Sequence, residues 1–339
     1  MSAPLGAIAR PYLLFLGDAP DRETAKTAIG VHHWRGRDCA AQFSLPGCNV
    51  DLGLPELDPA AAAARGICTL LVGLAPLGGA IPEHWTRAIV AALEAGLDVA
   101  SGLHVRLGDV PAIAAAAARH QRRLIDVRHP ERLFSVGDYR RRNGKRLLTV
   151  GTDCAVGKMF TALALEQAMR RRGIAADFRA TGQTGIFIAG GGVSVDAVVS
   201  DFLSGAAESL SPDAADMHWD LVEGQGSLFH PSYAGVSLGL LHGSQPDAIV
   251  LCHDAGRRTN GDFPGLPLPS LAECAQTNLQ LARLTNPAVR LVGCSLNTSR
   301  LTPDATERAI ADAATALGVP CVDPVRTGVD PIVDHILAR

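Results

Sequence analysis

The sequence predicts two doubly wound, mostly parallel-sheet α/β domains in succession, and three observations predict them. Apolar strand-like runs alternate with helical stretches through all 339 residues, the pattern of strands joined by crossover helices. Hydrophobic residues make up 47% of the chain but aromatic ones only 4%, so the core rests on Ala, Leu and Val, as in helices laid on buried parallel strands. A glycine-bounded loop, residues 151–159, joins a well-marked strand to a well-marked helix.

The first domain, residues 1–130, is expected to be Rossmann-like. Its strands fall at Tyr12 to Leu16, Cys68 to Gly73, Asp98 to Ser101 and Arg123 to Val127, with helices near Glu83 to Glu94 and Val110 to Arg119. After the second strand, Gly73-Leu74-Ala75-Pro76-Leu77-Gly78-Gly79 imitates a dinucleotide fingerprint. Its spacing is wrong, and Pro76 has no N–H to offer a pyrophosphate, so it reads as a strand-end turn. Residues 131–145 carry charge and turn formers and read as a linker. The bases Arg140, Arg141, Arg142, Lys145 and Arg146 are expected on a solvated face of it. The second domain, residues 146–339, has strands at 146–150, Ala175 to Ala180, Asp220 to Glu223, Ala248 to Cys252, Val289 to Cys294 and Pro320 to Val322. Helices are expected at 158–172, near Ala197 to Leu210, Gly235 to Leu241 and Leu271 to Leu284, and at Pro303 to Leu317 and Asp330 to Leu337.

Bulk charge narrows the function. A net charge of -3 leaves no field for nucleic acid, so any anion site must be local. The eight cysteines form no C-x-x-C pair and no Cys/His ligand spacing, so neither a zinc site nor a disulfide frame is expected. No stretch approaches 18 apolar residues and no basic leader opens the chain, which points to a cytoplasmic protein without a membrane partner. Alanine-rich helices in such a fold commonly supply dimer faces, so a homo-oligomer is expected.

The loop reads Gly151-Thr152-Asp153-Cys154-Ala155-Val156-Gly157-Lys158-Met159. Strand, glycine-bounded loop, Gly-Lys and helix is the layout that cradles a phosphate, because backbone N–H groups and a helix N-terminus converge on one anion. The second domain is therefore P-loop NTPase-like. Five residues separate the two glycines, one more than in the common pattern, and Met159 stands where a Mg²⁺-binding hydroxyl is usual. The cradle and the Lys158 charge remain while an inner-sphere metal contact is lost, so the expected ligand is a phosphate that need not be hydrolysed with metal.

In an open α/β sheet, ligands gather at the carboxyl ends of the strands. There this chain places Arg179, Thr181 and Gln183, then Glu223-Gly224-Gln225-Gly226-Ser227 with His230 behind, then His253 with Arg257 and Arg258, then Asn297. Asp201 opens a helix after a glycine-rich stretch. Thr181, Gln183 and Ser227 also suit helix caps, Asn297 a turn, and His230 and His253 a satisfied core. Paired arginines in a chain with no basic excess suit a carboxylate-bearing substrate.

GTDCAVGK resembles the P-loop of dethiobiotin synthetase-type ATPases, the Glu223-Gly224-Gln225-Gly226 strand end resembles their acidic glycine-rich motif, and Arg179 falls where they place a substrate lysine. Met159 departs from that family's Thr or Ser. The loop taken with a Rossmann-like domain ahead of it and with RATGQTG, VEGQGSLFHP and LCHDAGR later resembles, over nearly the whole chain, the DgcN-type D-glutamate N-acetyltransferases. That resemblance implies acetyl-CoA as co-substrate without an essential Mg²⁺, its pyrophosphate in the 151–158 cradle, and an acidic amino acid, D-glutamate first, as acceptor. Glu223 or His253 is then expected as base, with Asp201 a further catalytic candidate. Backbone at 182–185 or 224–226 is expected to supply oxyanion donors, and Arg179, Thr181, Gln183, Arg257 and Arg258 to hold the acceptor. An ATP-dependent carboxylate ligase, or a non-catalytic nucleotide or coenzyme sensor, is the alternative.

Overall fold

The computed structural model describes residues 8–74, 81–130 and 133–338. The chain forms two compact units: Met1–Glu131 together with Gln183–Ala197, and Arg132–Gly182 together with Val198–Arg339.

The first unit contains β1 (Tyr12–Gly17), α1 (Lys26–Arg35), β2 (Cys39–Ser44), α2 (Pro59–Ala64), β3 (Thr69–Val72), α3 (Glu83–Glu94), β4 (Asp98–Ser101), α4 (Pro111–His120) and β5 (Leu124–Asp126). The strands pair in parallel in the order β2-β1-β3-β4-β5. Such a sheet has its ligand crevice at the β1/β3 reversal. Here the turn into α1 carries Asp18, Asp21 and Glu23, and Asp21 accepts from the Thr24 amide at 2.8 Å, so an anionic pyrophosphate meets acid instead of open N–H groups. Of the strand-end turn read at 73–79, residues 75–79 lie outside the described residues; Gly73 is packed so close that a Cβ on it would stand 2.4 Å from the Cβ of Ala28.

Four elements were not legible beforehand: α1, β2, α2 and a helix at Gln183–Ala189. β2 reads CAAQFS and α2 PAAAAA, where alanine gives no period. The helix QTGIFIA buries Gly185, Ile186, Phe187 and Ile188 in one continuous run, which imitates a strand.

The second unit contains β6 (Lys145–Gly151), α5 (Lys158–Arg171) and β7 (Ala176–Arg179). After α6 (Gln183–Ala189), which packs in the first unit, come α7 (Ser200–Leu210), β8 (Trp219–Val222), α8 (Ala234–Ser244), β9 (Ala248–Asp254), α9 (Leu271–Ala282), β10 (Arg290–Asn297), α10 (Pro303–Leu317), β11 (Cys321–Val322) and α11 (Asp330–Leu337). Its parallel sheet runs β11-β10-β9-β6-β8-β7. One face packs Leu165, Ala168 and Met169 of α5 and Ile332, Val333 and Ile336 of α11 against Leu147, Leu221, Val250 and Val292. Burying each leucine or isoleucine contributes about 1.5–3 kcal/mol, which holds β6 and hence the loop after it in the middle of the sheet.

The basic segment is a solvated face only in part: Arg140 and Arg141 are exposed, but two of its arginines are not. Arg142 is 5% exposed and Arg146 1%. Nη1 of Arg142 donates to Glu208 O (2.6 Å) and Ser211 O (2.8 Å), and Nη2 to Gly243 O (2.8 Å) and Ser244 O (3.2 Å). One guanidinium thereby satisfies orphan carbonyls at the ends of both α7 and α8, where the helix dipoles concentrate negative charge. Arg146 Nη2 meets Asp247 at 3.3 Å, and on the surface Arg140 pairs with Asp213 and Arg141 with Asp247. Among the described residues, no helix is long and apolar enough to cross a membrane.

Candidate anion site at the 151–158 loop

β6 delivers the loop into the start of α5. Ala155 (φ 54°) and Gly157 (φ 97°) are both left-handed, which gathers successive N–H groups around one concavity. Gly157 is the N-cap of α5, no side chain caps that helix, and its first turn holds no acid, so its leading amides and the positive end of its dipole stay open to an anion. Lys158 is buried, its Nζ donating to Asp153 O at 2.7 Å, and burial pushes its ammonium below the ordinary lysine range. Neighbouring Cys154, Cys252 and Asp153 push it back up. A bound anion would offset the cost of burying this cation.

Glu223 closes the site from the end of β8. It is 4% exposed, and burial raises its carboxyl to about 7 against the pull of the Thr181 and Gly182 amides and of Lys158. Its Oε2 accepts from Thr181 N (2.9 Å) and Gly182 N (3.2 Å), while Thr181 Oγ1 donates to Glu223 O (2.7 Å) and receives Gln225 Nε2 (3.1 Å). Residue 224 must be glycine for contact reasons: a Cβ there would stand 1.7 Å from Thr149 O and 3.0 Å from Lys158 Cδ. The carboxyl and the ammonium therefore share one buried corner. A narrow cleft lined by Gly151, Gly224, Gln225, Ser237 and Asn278 lies beside it with room for about one water, so a nucleotide lies over the loop and not beneath it.

On the other flank Asp153, 1% exposed, accepts from Cys154 N (2.7 Å), Asn260 Nδ2 (2.9 Å), Gly261 N (2.9 Å) and Arg257 Nη1 (2.9 Å). It latches the segment after β9 onto the loop. Arg257 also donates to Cys154 O (3.0 Å). His253 is paired with Thr152, Nδ1 to Oγ1 at 2.9 Å, and burial pushes its imidazole down. His230, 1% exposed, has ring Nε2 3.1 Å from Asp262 Oδ2.

The residues expected to meet are thus partly together. Gly151–Lys158, Glu223, Thr181, His253 and Arg257 surround the loop, with Met159 half-buried just inside α5. The other four have partners or positions of their own. Arg179 is held by Asp220 (2.6 Å) and Asp177 (3.2 Å). Gln183 starts the helix of the first unit, with its Oε1 buried and without a hydrogen-bond partner. Asp201 is exposed in the first turn of α7, and Arg258 is exposed in the segment after β9.

Among the described residues, two groups of side chains have ligand atoms close enough for a cation, Asp153/Cys154/His230 and Asp177/His218/Asp220. In the first, the carboxylate already accepts from two backbone amides, an Asn and a guanidinium; in the second, Arg179 occupies the gap. The next hydroxyl in α5, that of Thr161, is bonded to Ser295 at 2.7 Å and to Gly157 O at 3.0 Å, so it does not replace the missing hydroxyl at 159. Sequence reasoning passed over Asn260, Gly261, Asp262, Tyr233 and Phe263. Asn260-Gly261-Asp262 reads as an ordinary turn, and no local pattern says that its side chains return to a loop a hundred residues earlier.

Comparison with known proteins bears on the whole chain. A family model described as a domain of unknown function, DUF1611, P-loop domain, matches residues 133–333, and its Rossmann-like N-terminal partner matches residues 43–130. The chain is 47% identical over 329 residues to a D-glutamate N-acetyltransferase of a Pseudoalteromonas species, covering 97% of this chain and 99% of that protein. It is 49% identical over 331 residues to a D-glutamate N-acetyltransferase of Tritonibacter scottomollicae, covering 98% and 99%. A crystal structure of a DUF1611 family protein from Anabaena variabilis superposes with a TM-score of 0.88 at 33% identity, over 98% of this chain and 100% of that one.

Proposed function

The chain belongs to the DUF1611 family, and from that premise we propose that it transfers the acetyl group of acetyl-CoA to the amine of D-glutamate. Full-length relatives at 47% and 49% identity are named D-glutamate N-acetyltransferase, which supports the acceptor and the group transferred. The observation that carries the donor assignment is the uncapped start of α5 with buried Lys158 behind it, an anion site whose hydroxyl ligand for a metal is replaced by Met159. The pyrophosphate of coenzyme A fits there on charge, and a thioester already carries an activated acyl group, so no γ-phosphate has to be neutralised by Mg²⁺.

This reading reassigns Glu223. In coenzyme A the whole pantetheine arm separates the pyrophosphate from the thioester. A carboxyl that shares a corner with Lys158 lies beside the phosphates and not beside the reacting carbonyl, and the same holds for His253 on Thr152. Glu223 instead holds the amides of Thr181 and Gly182 in place, and with a pKa of about 7 it can accept a proton and present no negative charge to the incoming phosphates. Arg179 and Arg257 are likewise engaged with carboxylates of the chain itself.

The test is an assay of thiol release from acetyl-CoA with D-glutamate, L-glutamate and glutamine in turn, with the acetylated product identified by mass. D-Glutamate should give release that persists in EDTA. Release that requires Mg²⁺ and ATP, or no release with any of the three, overturns the proposal.

A further inference from the structure

Beside the loop stands a cluster of rings for which the reaction so far has no use. Aromatic residues are scarce in this chain, yet Tyr233 and Phe263 remain 45% and 42% exposed. Buried His230 lies between them: it stacks on Tyr233 with centroids 4.5 Å apart and planes 28° apart, and meets Phe263 edge-on at 5.7 Å and 62°. His230 is fixed in one tautomer. The Ser232 amide donates to Nδ1 at 3.1 Å, so the ring proton is on Nε2 and is donated to Asp262 Oδ2 at 3.1 Å. That carboxylate is itself 48% exposed.

The rings adjoin the anion site on two sides. Ligand atoms of His230, Cys154 and Asp153 lie within 4.8 Å of one another, and a Cβ on Gly226 would stand 2.9 Å from Tyr233 Cβ. Phe263 follows Gly261, whose amide is bonded to Asp153. Phe263 is thus tied to the loop through the bonded Gly261, and Tyr233 lies against the 223–226 stretch that closes the site. Large apolar rings left in water cost free energy unless something covers them, and a buried histidine locked between them stiffens the arrangement.

We propose that Tyr233 and Phe263, supported by His230, form the stacking platform for the purine ring of the coenzyme, with Asp262 accepting from its exocyclic amino group. The proposal rests on the pyrophosphate reading above and extends it. A phosphate group in the 151–158 cradle is joined to its base by a single ribose, a spacer that brings the base to the neighbouring rings and leaves the pantetheine arm to run elsewhere. Every base offers a π face, so two aromatic side chains at this place supply affinity while the exposed carboxylate adds the preference for an amino-bearing ring.

Calorimetry with coenzyme A on wild type, Tyr233→Leu and Phe263→Leu tests it. Leucine keeps apolar bulk at exposed positions, and an unchanged melting temperature shows that each variant is folded. Loss of one stacking partner should weaken coenzyme A binding about tenfold or more. The KM for S-acetylpantetheine, which has the thioester arm and no nucleotide, should stay at the wild-type value, as should kcat at saturating acetyl-CoA. Wild-type affinity for coenzyme A in both variants overturns the platform, and so does an equal loss with S-acetylpantetheine. Wild-type protein that binds no coenzyme A overturns the donor assignment itself, an outcome visible before any variant is made.

Discussion

At the scale of single residues, Glu223 and Lys158 share a corner where burial works against both charges. Burial raises the Glu223 carboxyl to about 7 and lowers the Lys158 ammonium. A phosphate arriving at Lys158 raises the Glu223 value further, so binding takes up a proton. Affinity for coenzyme A should therefore be greatest below about pH 7 and decline as pH rises through that value, by at most tenfold per unit. Phosphate groups of the ligand also titrate in this range, so the informative quantity is the difference between wild type and Glu223→Gln. The glutamine cannot ionise, and its titration of affinity against pH should lack the Glu223 component. Identical profiles for the two proteins would mean that Glu223 keeps one protonation state throughout. Lys158→Met should weaken coenzyme A binding far more than it lowers the melting temperature, because a lysine buried against a carbonyl stabilises the fold little. Calorimetry and thermal melts on the same sample decide this.

At the scale of elements, Arg142 shows how a segment outside any helix or strand controls two helices. Its guanidinium is pushed down to about 10 by burial, still protonated at neutral pH, and is bonded to the last carbonyls of α7 and α8. Arg142→Met leaves several buried carbonyls without donors. Breaking buried charge-assisted contacts of this kind costs about 3–5 kcal/mol. At about 2–4 °C per kcal/mol for a unit of this size, the melting temperature should fall by on the order of 10 °C. Arg140→Met, in an exposed pair with Asp213, should change it by little. Differential scanning calorimetry on the two variants separates them, and equal melting temperatures would show that the helix ends find other donors.

At the scale of the whole molecule, the chain leaves the second unit at Gln183 and re-enters it at Val198. Within the first unit the intervening segment touches the start of α1 and residues just past two strands of the sheet. Thr184 Oγ1 is 3.1 Å from Thr27 Oγ1, a Cβ on Gly102 would stand 2.3 Å from Gln183 Oε1, and Asp196 pairs with Arg128. The carboxyl edge where such a sheet usually binds a ligand is filled by the protein's own α6. A fragment beginning at residue 132 therefore carries Ile186, Phe187 and Ile188 without α1 and the rest of the first unit, in which they are buried. That fragment alone should bind a hydrophobic dye strongly, and co-expression with residues 1–131 should abolish the signal and yield a complex that survives gel filtration. A fragment that stays monomeric and dye-free would show that residues 183–197 need no partner.

Local pattern carried most of the fold. Glu83 to Glu94, Asp98 to Ser101, Pro303 to Leu317 and Asp330 to Leu337 stand where periodicity and caps place them, because their own residues set the buried face. The loop from Gly151 to Lys158 was legible for the same reason: strand, glycines, lysine and helix are contiguous, and the chemistry of the cradle is backbone chemistry. Charge partners were not legible. Whether Arg142 is solvated or seals two helix ends, whether Arg179 and Arg257 face a substrate or Asp220 and Asp153, and whether Phe263 meets His230 depend on which distant strands the sheet order places side by side. A helix or strand is chosen by neighbours within a few residues, whereas these ion pairs and the His230–Phe263 ring contact join groups roughly thirty to a hundred residues apart, and only the packed sheet brings those within reach.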